Sequence, residues 1–68
     1  MKKSDLKVGD KIIQLEYGAG SGRPLTITDI DKENGIIGMG WYGCSYNTVH
    51  ECHKYVRKDG SYEEIINE

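Results

Sequence analysis

Glycine is the residue type that most constrains this chain, because nine of its 68 residues are glycines. Glycine weakens the interior of helices and strands and is favoured in turns that need a positive φ. The chain also has only one proline and no phenylalanine. This composition predicts many tight turns that join short elements. The length predicts one small domain, residues 1–68, which on folding buries only about 60% of the surface that the unfolded chain exposes.

Alternation of apolar and polar residues predicts the first strands. In residues 11–17, Ile13 and Leu15 alternate with polar side chains, which is typical of a half-buried strand. The alternation resumes in residues 25–31 and changes phase within that run. The change of phase predicts a bulge or twist near Asp29.

A hairpin is predicted in the middle of the chain. The Asn-Gly pair at 34–35 supplies the positive φ that a tight hairpin turn needs. In the following run, residues 36–41, Trp41 has the same phase as Ile37 and Met39. We therefore expect the Trp41 indole to lie in the core or at its rim.

The C-terminal third permits two interpretations. Thr48 and Glu51 match a capping box, which favours a short helix near residues 48–58. The alternative is a β-hairpin that turns at Asp59-Gly60. In both cases we expect residues 62–66 to form the last strand. The predicted fold class is all-β or mainly β: a strongly curved antiparallel sheet or open barrel of four to five strands, with at most one short helix.

The stretch LKVGDKI, followed by LTITDID, KENG and IIGMGW, resembles the start of small Src-homology-3-like β-barrels. The resemblance covers residues 6–41. It implies a turn that leads into the first strand, a long first loop, and three short strands that curl into a barrel. It also implies an interaction surface made of loops, often lined by aromatic residues.

The glycine-rich stretch YGAGSGRP, residues 17–24, has the composition of a phosphate-binding loop. Such loops end in Gly-Lys-Ser/Thr and open a helix. Here Arg23 and Pro24 follow the glycines and lead into a strand pattern. We therefore interpret this stretch as a connection between strands, in which Arg23 is available to bind a carboxylate of a partner.

Four residues of zinc-ligand type occur close together, but their spacing contains no pair of zinc knuckles. They are Cys44, His50, Cys52 and His53. We expect Cys52 to pack in the core and both histidines to lie at the surface. Thiol catalysis also needs an oriented base and a substrate cleft, which so short a chain does not provide. No metal, cofactor or enzymatic activity is predicted.

The tyrosines suggest a binding surface. Tyr42 and Tyr46 flank a predicted turn, residues 42–46, in which we expect their rings to be partly exposed. Together with Tyr17 and Arg23 of the first loop they predict a non-enzymatic binding module. We expect it to be a small accessory or inhibitory protein that contacts a protein partner. A homodimer also remains open, because small barrels leave sheet edges unpaired.

The net charge and the absence of targeting signals bear on the class of partner and on the cellular location. The net charge of −2 argues against a dedicated binder of duplex DNA, which normally needs a basic stripe. RNA or single-stranded nucleic acid remains the alternative partner, bound through exposed tyrosines and the N-terminal lysines. The sequence shows neither a secretory signal nor an apolar run of membrane length. We therefore expect a cytoplasmic protein with reduced thiols.

Overall fold

A computed structural model describes residues 1–14 and 22–68 of the chain. Within these residues the fold is mainly β, as predicted, with one α-helical turn and one 3₁₀ turn at Lys3–Asp5. The strands are β1 Lys11–Gln14, β2 Leu25–Thr26, β3 Asp29–Asp31, β4 Ile36–Met39, β5 Tyr42–Ser45, β6 His53–Val56 and β7 Tyr62–Glu64, and the helical turn is α1 Val49–Cys52.

The seven strands of the described residues form two antiparallel sheets. One sheet has four strands in the order β2-β1-β6-β7, and the other has three in the order β3-β4-β5. β1 is an inner strand, because Lys11 lies opposite Thr26 on one side and Val56 on the other. The ladders within the described residues close neither sheet upon itself.

The predicted strand at residues 25–31 is divided between the two sheets. The Ile27 amide donates to the carbonyl of Asp10 at 2.8 Å, which continues the pairing of β2 with the β1 side. The next amide, that of Thr28, donates to the carbonyl of Gly38 at 2.8 Å and so begins the pairing with β4. Close to Asp29, where a bulge or twist is predicted, the chain therefore changes from one sheet to the other. Division of this run is one reason why the described residues form seven strands and not the predicted four to five.

The turn between β3 and β4 forms as predicted from its Asn-Gly pair. Gly35 has a φ of 71°, in the left-handed region that favours glycine. The Asn34 amide groups donate to the Asp31 carboxylate from the backbone at 3.1 Å and from the side chain at 2.7 Å. These bonds stabilise the ionised carboxylate and hold the pKa of Asp31 below its ordinary value.

The helix predicted near residues 48–58 is limited to a single turn, α1. The Thr48 side chain makes no capping hydrogen bond, and the chain becomes extended at His53. The hairpin interpretation is correct, since β6 and β7 pair and the Ser61 amide donates to the Asp59 carboxylate at 2.9 Å. As a strand, β6 pairs with β1 as well as β7, whereas an isolated two-turn helix is marginal in water. No helix of the described residues is long and apolar enough to cross a membrane.

The core draws side chains from both sheets and from α1. Its buried members are Leu6, Ile12, Ile27, Ile37, Met39, Val49 and Ile65. Ile12 belongs to this cluster, whereas the sequence pattern placed Ile13 on the apolar face of β1. Both side chains are fully buried, so alternation failed on this strand because β1 is covered on both faces.

The first and last segments of the chain lie side by side. The Lys3 amide donates to the carbonyl of Ile66, and the Ile66 amide donates to the carbonyl of Met1, each at 2.8 Å. The amino group of Met1 also forms an ion pair with the Glu63 carboxylate, which accepts a hydrogen bond from Arg57 Nε at 3.1 Å. These two donors hold the pKa of Glu63 below its ordinary value.

The turn glycine Gly40 can be compared directly with the strand glycine Gly43. Gly40 has a φ of 72° and open space where a Cβ atom would stand, whereas a Cβ atom at Gly43 would lie at an ordinary contact distance, 3.5 Å, from the Ile37 carbonyl oxygen. We expect Gly40→Ala to lower the free energy of unfolding by about 1–2 kcal/mol, because of its left-handed backbone. Gly43→Ala should leave it unchanged or raise it by about 0.5–1 kcal/mol. Urea unfolding of both variants measures the difference, and equal effects would contradict the turn geometry.

The low pKa of Glu63 makes stability depend on pH. A carboxyl group whose pKa is lower in the folded state stabilises the fold above its unfolded pKa, about 4.3. That contribution is lost as the pH falls through the folded pKa. We expect Glu63→Gln to be less stable than the parent at pH 7 and to lose less stability on acidification. The control is Glu33→Gln, at an exposed turn residue, which should follow the parent in thermal unfolding from pH 7 to 3.

Candidate functional site

Trp41 lies at the tip of the β4–β5 hairpin and not in the core. Met39 and Tyr42 form the last pair of the ladder, so Gly40 and Trp41 make a two-residue loop. The loop has a positive φ at Gly40 only, which is the pattern of a type II′ turn. The expectation that Trp41 shares a core face with Ile37 is therefore wrong. The strand ends at Met39, and the indole is 90% exposed.

The exposed indole is supported from one side. The ring centroids of Trp41 and Tyr42 are 4.9 Å apart with an angle of 42° between the planes. The Tyr42 ring is half-buried and packs against the core, and the Gly40 amide donates to the Thr28 hydroxyl at 3.0 Å. We call Gly40, Trp41 and Tyr42 the hairpin tip. A glycine between two strand-like runs was the signal in the sequence that could have identified it.

The predicted turn at residues 42–46 is a strand. Residues 42–45 form β5, which pairs along its full length with β4, and the preceding Gly-Trp pair makes the turn. Tyr42 and Tyr46 are both half-buried, so the prediction of partly exposed rings is confirmed. Both pack against the core from the same face. Because they are four residues apart on an extended chain, they are separated by about 13 Å and do not form one cluster.

Tyr46 is covered by lysines. The ammonium groups of Lys3 and Lys32 lie 5.0 and 5.7 Å from the centroid of its ring, within the range of cation–π attraction. Lys3 Nζ also donates to the side-chain carbonyl of Asn67 at 2.7 Å. Tyr46 is thus tied to the paired first and last segments and lies away from the hairpin tip.

The first loop is described only in part. Tyr17 lies outside the described residues, as do residues 15–21 as a whole. Arg23 is exposed, and the Gly22 amide before it donates to the carbonyl of Gln14 at 2.9 Å. The structure therefore shows where the end of the loop pairs with β1, at Gly22 and Gln14.

A cavity of about 180 Å³ opens beneath Tyr42. Three of the four predicted ligand-type residues line it, namely Cys44, Cys52 and His53, whereas His50 does not. Its other lining residues are Ile12, Gln14, Leu25, Met39, Tyr42, Gly43, Ser45 and Thr48. The cavity thus lies between the two sheets and the end of α1, and Tyr42 contributes both to its wall and to the hairpin tip.

Burial of the thiol and imidazole groups differs from the prediction. His53 is only 8% exposed, whereas Cys52 is half-buried, because the first residue of β6 points inward. Burial lowers the pKa of His53, so its imidazole is neutral near pH 7. Burial, with a smaller effect of Cys52, raises the pKa of Cys44 to about 11. The Cys52 sulfur lies 3.3 Å from Nδ1 of His53.

The described residues contain no group of three or more His, Cys, Asp or Glu side chains placed to hold a metal ion. His50 has an Nδ1 atom that is buried without a hydrogen-bond partner in the described part of the chain, and its Nε2 lies 3.9 Å from the Glu51 carboxylate. The fold places Cys44, Cys52 and His53 in the wall of one cavity, but it does not arrange them around a common point.

Comparison with known protein families gave no match, and neither characterised proteins nor solved structures showed significant similarity to the chain.

Trp41 is the only tryptophan, so its fluorescence tests the hairpin tip directly. We expect the folded protein to emit at the wavelength of a solvated indole and to be quenched by iodide nearly as efficiently as the urea-unfolded chain. The reason is that water and solutes reach almost the whole side chain. A blue-shifted emission with protection from iodide would show that the indole is buried.

Proposed function

We propose that this protein is a non-enzymatic binding module that contacts a protein partner through its hairpin tip. The observation that carries the proposal is the 90% exposure of Trp41 on top of a half-buried Tyr42. Tryptophan and tyrosine are enriched among the residues that dominate binding energy at protein interfaces. A small accessory or inhibitory protein would use such an anchor against a larger partner.

The energetics favour the hairpin tip as an anchor. Burying about 200 Å² of aromatic surface at about 25 cal/mol per Å² contributes about 5 kcal/mol to association. Part of this gain is normally lost in ordering flexible groups. Here that cost is reduced, because Trp41 belongs to a tight two-residue turn and contacts Tyr42, which packs on the core.

The predicted contacts of the first loop remain part of the proposal. Arg23 is exposed and is available to bind a partner carboxylate. Tyr17 and residues 17–24 would add a second contact region. Tyr46 contributes less in this proposal than the sequence suggested, because Lys3 and Lys32 already cover its ring.

The proposed architecture behind this surface is a small open barrel of the Src-homology-3-like type. Three features support it: β1 is an inner strand, residues 25–31 pass from one sheet to the other, and a single helical turn precedes a strand that pairs with β1. Strands that switch sheets form the corners of such compact β folds. The first loop and the hairpin tip would then be among its connecting loops.

Binding of RNA or single-stranded nucleic acid is the second candidate. Two lysine ammonium groups beside the Tyr46 ring favour it, since cationic and aromatic groups together bind single strands. If the two lysines bound the phosphate backbone of a nucleic acid, they would leave the Tyr46 ring, which would then be exposed for stacking on a base. Such binding would weaken steeply with rising salt, because counterions are released.

The test is capture of a partner from lysate by the immobilised chain after nuclease digestion, with the hairpin tip altered. We expect Trp41→Ala to weaken retention of the captured protein by about 30-fold or more, the effect of losing about 2 kcal/mol at a dominant contact. The matched control is Tyr62→Ala, which removes another exposed aromatic side chain, 47% exposed, on β7. Both variants should keep stability within about 0.5 kcal/mol of the parent.

The outcomes separate the candidates. Equal retention by the parent and Trp41→Ala would reject the hairpin tip as anchor. Capture that disappears with nuclease and falls steeply with salt would assign the function to nucleic acid. Sedimentation of the purified chain tests whether the partner is a second copy, in which case Trp41→Ala would convert a dimer to a monomer.

A further inference from the structure

The cavity beneath Tyr42 has chemistry that partner binding does not require. It brings together two thiols and an imidazole, although Cys44 and Cys52 come from different elements, β5 and α1. Gln14 of β1 completes the polar wall from the other sheet.

We propose that this cavity is a site of thiol oxidation, in which Cys52 reacts with a small hydroperoxide and then forms a disulfide with Cys44. The proposal does not depend on the proposed binding function, because none of its steps involves Trp41 or a partner.

The contacts of Cys52 identify it as the reacting thiol. Its sulfur donates to the carbonyl of Thr48 at 3.8 Å and lies 3.3 Å from His53 Nδ1, which is an acceptor for the S–H group when the neutral ring carries its proton on Nε2. The Cys52 side chain is half-buried and lines the cavity, where a small reactant would bind. The thiolate is the nucleophilic form of cysteine, and an adjacent base assists its formation.

His53 is suited to accept the proton. It is nearly fully buried, and burial lowers its pKa, so the ring is neutral and one nitrogen can serve as an acceptor. The same burial makes it a weak base. Proton transfer from Cys52 to Nδ1 is therefore expected to accompany the attack on the peroxide and not to precede it.

The volume of the cavity selects the class of oxidant. About 180 Å³ is smaller than the roughly 300–1,000 Å³ of sites for drug-sized ligands. It suits hydrogen peroxide or a short alkyl hydroperoxide. Polar groups of Gln14, Ser45 and Thr48 in the wall are available to hydrogen-bond the oxygen atoms.

The first step oxidises Cys52. Its sulfur attacks the terminal peroxide oxygen, an S–O bond forms, and the O–O bond breaks. The proton that moved to His53 leaves with the departing oxygen, so hydrogen peroxide is reduced to water and Cys52 becomes a sulfenic acid.

The second step joins the two cysteines. The Cys44 sulfur attacks the Cys52 sulfur, an S–S bond forms, and the S–O bond breaks, with the Cys44 proton leaving in a second water molecule. Burial raises the pKa of Cys44 to about 11, so this thiol stays protonated near pH 7 and reacts slowly with peroxide itself. The roles of the two cysteines are thus set by their surroundings.

The test is oxidation of the purified full chain with one equivalent of hydrogen peroxide near pH 7. We expect the intact mass of the parent to fall by two hydrogen atoms as the disulfide forms. Cys44→Ser should instead accumulate a sulfenic acid at Cys52, trapped by dimedone. Cys52→Ser should consume peroxide at least about tenfold more slowly than Cys44→Ser, because the remaining thiol is buried and protonated.

His53→Asn tests the proton acceptor, since asparagine retains a hydrogen-bonding group near Nδ1 but cannot take the proton. We expect oxidation of Cys52 to slow at least about tenfold with an unchanged circular dichroism spectrum. If this variant does not fold, the parent itself supplies the comparison. Its folded Cys52 should react faster than the same cysteine in the urea-unfolded chain.

Three results would overturn the proposal. They are trapping of dimedone at Cys44 in the parent, a folded Cys52 that reacts no faster than in the unfolded chain, and oxidation that stops at the sulfenic acid in the parent. These three readouts do not depend on whether Trp41→Ala weakens partner binding. The oxidation proposal and the binding proposal can therefore be rejected independently.

Discussion

Backbone pairing on both sides of β1 is the constraint on which the rest of the structure depends. Its four residues pair with β6 along their full length and with β2 over two positions. The pairing with β6 places Gln14 opposite His53 and so fixes one wall of the cavity. The pairing with β2 continues through Ile27 to the corner where the chain enters the other sheet. Loss of β1 pairing would therefore divide the four-stranded sheet between β2 and β6 and open the core.

The second sheet positions the hairpin tip and the cavity, the two regions to which we assign proposed functions, relative to each other. β4 and β5 are short and tightly joined, so the hairpin tip is held close to the core that supports it. Tyr42 contacts Trp41 on the outside and lines the cavity on the inside. A side chain shared in this way couples the two regions in a single packing arrangement. A change in the position of Tyr42 alters the support of the indole and the shape of the cavity together.

Sequence patterns predicted the mainly β character of the chain, the Asn-Gly turn and a break in the strand pattern near Asp29, because each depends on local backbone preferences. They failed where long-range pairing decided the outcome. Residues 53–56 matched a helix locally but became β6, since β1 offered a full ladder. Trp41 fitted the phase of a strand, but the strand ended two residues earlier, at the Gly40–Trp41 turn that joins β4 to β5. The residue types of the cavity were recognised, whereas their burial depended on which face of β6 turned inward.

The central position of β1 has a consequence for folding kinetics. Its partner β6 lies near the other end of the chain, so their contacts have high sequence separation and require closure of a long loop. During synthesis β1 leaves the ribosome long before β6 does. The edge of β1 that pairs with β6 therefore stays unpaired until most of the chain has been synthesised. The strands of the β3–β4–β5 hairpins pair with near neighbours in the sequence and can form before that.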